Sequence, residues 1–418
     1  VPEVKDSALN VARKQPVDWS RATCIVSSTS ASGNYAAHDD KRAAVEVLRS
    51  LDDPGNPYDP CESVDRGDLH LAANHTHTCG TGEERTFVGR GFRDKVDLEA
   101  PVSEQLQTHI ADARNYLLQL RQKGVGWGYR SDGPPYTEPT AVGCLALLAT
   151  NDQLPLDEVD ELVVCSAEWM QELQQPDGGV GIASDLPVPK WPTAFAALLW
   201  SQLPQFQRCL ASSLRWLQQR EGHTFVKTKE CVLGHDTSIP GWPWVAGTHP
   251  WLEPTAMAVM ALCRNQLAGH QRIRDGVRMI LDRAIASGGW NVGNSSAFGK
   301  QLRPQAGSTG LALLALKAAR QEETPTITRG CRYLAEALPT TRSPETLAWG
   351  LLGLLAWRPQ PDEAMTWLLE SFSNQAALKN SPMRLSMLLL AAASADTLPR
   401  LGVPLAESAP VLLEGPLS

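Results

Sequence analysis

The chain has 418 residues, 43% of them hydrophobic and 20% charged, with a formal net charge of −8. That balance supplies a large core and excludes nucleic acid as the main partner, because a polyphosphate needs a basic face. No stretch of eighteen uninterrupted apolar residues occurs, which excludes an ordinary transmembrane helix.

Residues 1–100 are rich in Ser, Asp, Gly and Pro and show no sustained period. They read as an irregular, partly disordered extension with one short helix over Asp40 to Leu51 and a turn at Pro54-Gly55-Asn56-Pro57. His70, His75, His77 and Cys79 lie close together, with Cys61 upstream. Alternate residues of an extended chain point the same way, so His75, His77 and Cys79 form a candidate zinc site. The first residues, Val1-Pro2-Glu3, show no signal-peptide pattern. Nine cysteines, several inside apolar or amphipathic runs, read as buried free thiols of a reducing compartment. A cytoplasmic location is therefore expected, with peripheral membrane contact allowed and the oligomeric state open.

From residue 101 to 400 a unit recurs six times. Its first half is an amphipathic helix: Ala111 to Gln122, Glu161 to Gln175, Arg208 to Arg220, Gln271 to Ala286, Thr328 to Ala337 and Asp362 to Ser373. Its second half is a short helix apolar on nearly every face, and so buried. The openers of these apolar halves read Thr137-Glu138-Pro139-Thr140-Ala141, Lys190-Trp191-Pro192-Thr193-Ala194 and Leu252-Glu253-Pro254-Thr255-Ala256. The later three read Ala306-Gly307-Ser308-Thr309-Gly310, Ser343-Pro344-Glu345-Thr346-Leu347 and Asn380-Ser381-Pro382-Met383. Pro near the first helical position is a favourable helix start. Loops between the halves carry Gly and Trp, as in Gly126-Trp127-Gly128, Gly178-Gly179, Gly241-Trp242-Pro243-Trp244 and Gly288-Gly289-Trp290. One helix pair cannot bury its own apolar face. Six pairs predict an all-α ring with inner helices lining a barrel, followed by a tail over 401–418.

A Gly-x-Trp or Asp-Gly-Gly loop followed by a Thr-Ala opener resembles the repeat of squalene–hopene cyclases and protein prenyltransferase β-subunits. The resemblance covers roughly residues 105–396 and implies an (α/α)6 toroid. Complement thioester domains share that ring, and Gly293 to Thr309 is faintly similar to them. Their Cys-Gly-Glu-Gln signature is absent, since the nearest run is Cys79-Gly80-Thr81-Gly82-Glu83.

In the cyclases an Asp-x-Asp-Asp-Thr-Ala motif protonates an alkene. Aligned on Thr-Ala, Glu138 and Glu253 fall at its central Asp. Pro139 or Pro254 replaces the neighbouring Asp, and Tyr136 or Trp251 replaces the first. A carboxylate here equally stabilises a helix N-terminus, and Glu345 occupies a similar place. Glu253 is the stronger candidate acid, because its repeat has the longest connection and the densest aromatics. Trp242, Trp244, Trp251, His249, Trp191 and Tyr136 are candidates to line a substrate pocket or stabilise a cation. The leading expectation is a terpene-cyclase-like protein acting on a polyprenyl or other lipid without a cofactor. The alternatives are a non-catalytic ring that binds a lipid or protein, and a zinc prenyltransferase-like enzyme. For the last, Cys231-Val232-Leu233-Gly234-His235-Asp236 is the nearest metal-binding cluster in the repeats, and no Asp-x-Cys pair is present there. A diphosphate would look to Lys227, Lys229, Lys300 and Arg303.

Overall fold

The computed structural model describes residues 101–122, 124–151, 158–227, 233–267 and 269–404, all within one compact unit, Pro60–Ser418. The expected helix at Asp40 to Leu51 and the zinc candidates His75, His77 and Cys79 lie outside the described residues.

Amphipathic and apolar helices alternate along the chain. The amphipathic set is α1 (Val102–Gln119), α3 (Val159–Glu172), α5 (Gln207–Gln219), α7 (Gln271–Asp282), α9 (Pro325–Ala337) and α11 (Ala364–Ser373). The apolar set is α2 (Thr137–Asn151), α4 (Pro192–Trp200), α6 (Leu252–Arg264), α8 (Ala306–Ala318), α10 (Pro344–Leu355) and α13 (Pro382–Ala392). A single turn, α12 (Gln375–Leu378), precedes α13, and α14 (Ser394–Arg400) follows it. The described residues hold two short strands, β1 (Ser296–Ala297) and β2 (Lys300–Gln301), in one hairpin.

The apolar helices pack on one another in chain order, α2 on α4, α4 on α6, and so on to α13, which packs back on α2. Each is buried on nearly every face; every residue of α4, from Pro192 to Trp200, is buried. The amphipathic helices lie between them, each burying one stripe, such as Cys209, Leu210, Ser213, Trp216 and Leu217 of α5. The first amphipathic helix begins at Val102, not near Ala111, because residues 102–110 continue its buried stripe through Leu106, His109 and Ile110. Pro139 and Pro254 are the third residues of their helices, whereas Pro192, Pro344 and Pro382 open theirs. Pro is tolerated anywhere in the first turn, where no N–H partner is lost.

The recurring Thr has a common job. In four repeats its hydroxyl accepts a loop N–H thirteen to nineteen residues back: Trp127 to Thr140 at 3.0 Å, and Val180 to Thr193, Trp242 to Thr255 and Trp290 to Thr309 each at 2.9 Å. The same hydroxyl donates to that residue's carbonyl in the Thr140, Thr255 and Thr309 cases. One side chain thus satisfies a buried N–H that no helix or sheet reaches, and gives a second donor to a C=O that already accepts the N–H of Tyr136, Trp251 or Gln305. Gly126, Gly241 and Gly289 make room for it, since a Cβ there would lie 2.3, 2.8 and 2.7 Å from the Thr oxygen.

The loop tryptophans complete the joint. The indole N–H of Trp127, Trp242 and Trp290 donates to the carbonyls of Leu117, Leu217 and Ile280 at 2.7, 2.9 and 2.7 Å. Each acceptor lies in the last turn of the preceding amphipathic helix, where carbonyls lack an intrahelical partner. Neighbouring repeats are stitched at the starts of the apolar helices: Thr137 N–H donates to the Ile182 carbonyl at 2.8 Å, and Leu252 N–H to that of Val292 at 3.0 Å. Cys144, Cys165, Cys209, Cys263 and Cys331 are free thiols, buried or half-buried. Burial pushes the thiols of Cys144 and Cys263 up to about 12 and that of Cys331 to about 11.

Candidate functional site: an aromatic-walled carboxylate at the starts of the apolar helices

Glu138 is the second residue of α2 and is fully buried. Its Oε2 accepts two hydrogen bonds, from the Tyr129 hydroxyl at 2.7 Å and from the Trp191 indole N–H at 2.8 Å. Tyr129 comes from the Gly loop of its own repeat, and Trp191 from the residue that precedes α4 in the next. Gly128 makes the loop turn possible, because a Cβ there would lie 2.6 Å from the Pro134 carbonyl oxygen. Tyr136 stacks obliquely on Tyr129, with ring centroids 5.2 Å apart, and Trp244 sets its ring edge-on to Trp191 at 5.1 Å. Two aromatic side chains therefore bond one carboxylate, and two more, Tyr136 and Trp244, pack on them, the four coming from three repeats. Two donors on one oxygen stabilise its negative charge, as does the N-terminal end of α2.

Glu253 holds the same register in α6 and Glu345 in α10, each the second residue of its helix. Glu345 is buried and Glu253 half-buried. Trp251 is half-buried just before α6, its N–H on the Trp242 carbonyl at 3.1 Å. Trp242 itself lies with Trp127 and Trp290 at the joints between repeats: its ring carries the Arg272 guanidinium at 4.1 Å and its N–H is spent on Leu217. The structure thus brings Tyr136, Glu138, Trp191 and Trp244 together and sets Trp242 apart from them. Tyr129 is the member that the openers do not announce. Its signal is an aromatic two residues past the loop Trp.

His249 belongs to a second cluster, at the base of the segment inserted between Gly222 and Gly241. Those two glycines are joined directly, Gly222 N–H to the Gly241 carbonyl at 2.9 Å, which closes the foot of the segment. Arg283, wholly buried, donates to Asp282 at 2.9 Å, to the Asp236 carbonyl at 3.2 Å and to His249 Nε2 at 3.3 Å. A guanidinium only donates, so His249 Nε2 is an acceptor and its proton sits on Nδ1, facing the His223 carbonyl at 3.2 Å. His235 Nε2, 3.3 Å from His249 Nε2, must then be the donor between the two rings. Burial, followed by the Arg283 charge, lowers His235 to about 3 and His249 to about 4. Both imidazoles are neutral near pH 7 and work as structural hydrogen-bonding groups.

Among the described residues no three His, Cys, Asp or Glu side chains are grouped to hold a metal. No described helix is long and apolar enough to cross a membrane. Two surface grooves, of about 580 and 430 Å³, lie on the outer side of the molecule and include none of the candidate residues.

No protein-family model matches the sequence, and neither does any curated protein. Solved structures give weak similarities. A type II terpene cyclase, MstE from Scytonema, in complex with geranylgeranyl dihydroxybenzoate is 16% identical over 72% of this chain and 99% of its own, with a TM-score of 0.47. A protein from Actinoplanes is 16% identical over 70% of this chain and 99% of its own, also at 0.47. The α2-macroglobulin of Escherichia coli, from domain MG7 to the C-terminus, is 18% identical over 68% of this chain and 42% of its own, at 0.37. Likeness at this level assigns neither the fold nor a reaction to this chain.

Proposed function

We propose that the cycle of apolar helices is the inner wall of an (α/α)6 toroid, and that the protein is terpene-cyclase-like, acting on a polyprenyl or related lipid at the end where those helices begin. Glu138, in preference to Glu253, is the acid. The observation that carries this reading is the pair of donors on Glu138 Oε2 inside a wall of aromatic rings. Protonating an alkene requires an acid whose conjugate base is stabilised; Tyr129 and Trp191 supply that stabilisation. The proton passes to a terminal alkene carbon or an epoxide oxygen, leaving a carbocation. Internal double bonds then attack it in turn, each forming a C–C bond, and loss of a proton from the last cation ends the sequence. The faces of Tyr129, Tyr136, Trp191 and Trp244 offer the quadrupole that such cations need. An epoxide demands a weaker acid than an alkene and is the favoured substrate end.

A second reading has its own support. Glu138, Glu253 and Glu345 share one helix register, which fits three carboxylates that stabilise helix starts in a ring that binds a lipid or a protein without reacting. Incubation with squalene, oxidosqualene and geranylgeranylated aromatics, followed by mass spectrometry of the extract, separates the two. Cyclised product lost in Glu138→Gln supports the enzyme, whereas unchanged lipid co-purifying with the protein supports the binding ring.

A further inference from the structure

Three of the exposed large apolar side chains lie in two segments that meet. Val226 is 80% exposed, Phe298 71% and Phe225 42%. Phe298 and Gly299 form the tip of the β1–β2 hairpin, in which Ala297 pairs with Lys300. A two-residue hairpin turn of this kind needs φ > 0 at both tip positions, and the values are +53° at Phe298 and +73° at Gly299. Asn or Gly would take the first position without strain, whereas a bulky side chain there is unfavourable. The chain therefore holds an aromatic ring in solvent, at a position where both exposure and backbone conformation oppose it.

The hairpin and the inserted segment are joined by backbone. Leu233 bridges to Ala297, Gly234 N–H donates to the Ser296 carbonyl at 3.0 Å, and Phe225 N–H donates to the Thr237 carbonyl at 3.1 Å. Phe225 and the hairpin thus both bond to the one stretch from Leu233 to Thr237. The hairpin rises from the Trp290–Gln305 loop, whose ends are bonded to each other at 2.8 Å and whose Val292 carbonyl caps the start of α6. The prong stands at the end of the molecule where the apolar helices begin.

Charge reverses there. The molecule carries −8 overall, yet residues 222–227 and 292–305 contain Lys227, Lys300 and Arg303 and no Asp or Glu. Lys227, Lys300 and Arg303 are exposed. Apolar residues flanked mainly by cations, with Asp236 of the shared stretch facing Arg278 at 3.9 Å, complement a bilayer that carries anionic lipid: the rings enter the headgroup boundary and the cations meet the phosphates. Phe298 stands at a hairpin tip and Val226 beside Phe225, whose ring packs on His223 and His249, so the exposed apolar area is small, whereas a protein partner calls for an extended complementary patch.

We infer that Phe298, Phe225 and Val226, with Lys227, Lys300 and Arg303, form a docking prong for an anionic membrane surface. It stands independently of the reaction read at Glu138.

Co-sedimentation with phosphatidylcholine vesicles, with and without phosphatidylglycerol, tests it on the full chain. The wild type is expected to bind the anionic vesicles about tenfold more tightly than the neutral ones. Phe298→Asn suits the turn, so its thermal midpoint should hold or rise while vesicle affinity falls about tenfold. Lys300→Gln or Arg303→Gln should each weaken binding to anionic vesicles about fivefold. Absence of wild-type binding to either vesicle, or Phe298→Asn binding as well as the wild type, overturns the assignment. Loss of self-association in Phe298→Asn with vesicle binding unchanged assigns the prong to a protein contact and likewise overturns it.

Discussion

The Trp191 indole N–H lies 2.8 Å from Glu138 Oε2, reaching across 53 positions of sequence from one repeat to the next. Together with the Tyr129 hydroxyl it places two donors on one buried carboxylate oxygen. Trp191→Phe keeps an aromatic ring, though a smaller one, and deletes the donor. A hydrogen bond to a buried charged group contributes about 1.5–3 kcal/mol, so urea unfolding should show a loss of that order. Any cyclisation should slow about tenfold or more, because the conjugate base of the acid loses a partner. Tyr129→Phe should behave alike. Unchanged stability in both variants contradicts the geometry described.

The Thr clamp makes a sharper stability prediction. Thr255→Val is close in shape and removes the hydroxyl that serves both the N–H and the C=O of Trp242. The Trp242 carbonyl keeps the Trp251 N–H at 3.1 Å, so the Trp242 N–H alone is left unpaired and a loss of about 1–3 kcal/mol is expected. Thr255→Ser should recover most of it. Thr309→Val should match Thr255→Val, since Thr309 makes the same pair of bonds to Trp290.

Gly310 and Gly353 test the packing of α8 on α10. A Cβ at Gly310 would lie 2.0 Å from the Trp349 carbonyl oxygen, and one at Gly353 only 2.4 Å from Gly310 Cα. Backbone cannot yield as a side-chain tip does. Gly310→Ala should therefore destabilise by about 3 kcal/mol or prevent folding, although Ala is the better helix former. A thermal midpoint equal to the wild type would show that the two helices do not touch at this point.

The repeat was legible because buried and half-buried helices have different periodicities, and because a Gly, a Trp and a Thr recur in order at three of the joints. Trp127, Trp242 and Trp290 look alike in the sequence and do the same thing. The site was less legible. Glu253 stands among more aromatics along the chain than Glu138 does, yet Trp242 among them is spent on an interface between repeats. Glu138 takes its partners from Tyr129, in the preceding loop, and from Trp191, in the next repeat. Nothing in the Thr137-Glu138-Pro139 opener announces either donor: Tyr129 arrives when the loop of the same repeat folds back, and Trp191 when the next repeat packs.

Acid should loosen the inserted segment. His235 and His249 have folded values near 3 and 4, below the 6.5 of an unfolded imidazole, so the unfolded chain binds more protons between these limits. Their contribution to stability is complete above about pH 6.5 and is lost as pH falls toward 4. Lys227, Arg283, Asp236, Asp282 and the His223 carbonyl surround them, and the Arg283 charge adds to the effect of burial. Allowing for the partial exposure of His249, the loss is on the order of 3 kcal/mol. Thermal melts from pH 7 to 4 should fall accordingly, and His235→Leu should flatten that slope. A slope unchanged in His235→Leu would place the titrating groups elsewhere.

The most direct test of the proposed acid is the product profile of wild type and Glu138→Gln on oxidosqualene and geranylgeranylated substrates, with Glu253→Gln alongside. The predicted result is a cyclised product from the wild type and from Glu253→Gln, abolished in Glu138→Gln while that variant keeps its fold by circular dichroism. A product that persists in Glu138→Gln, or no product from the wild type on any of these substrates, contradicts the assignment of Glu138 as the acid.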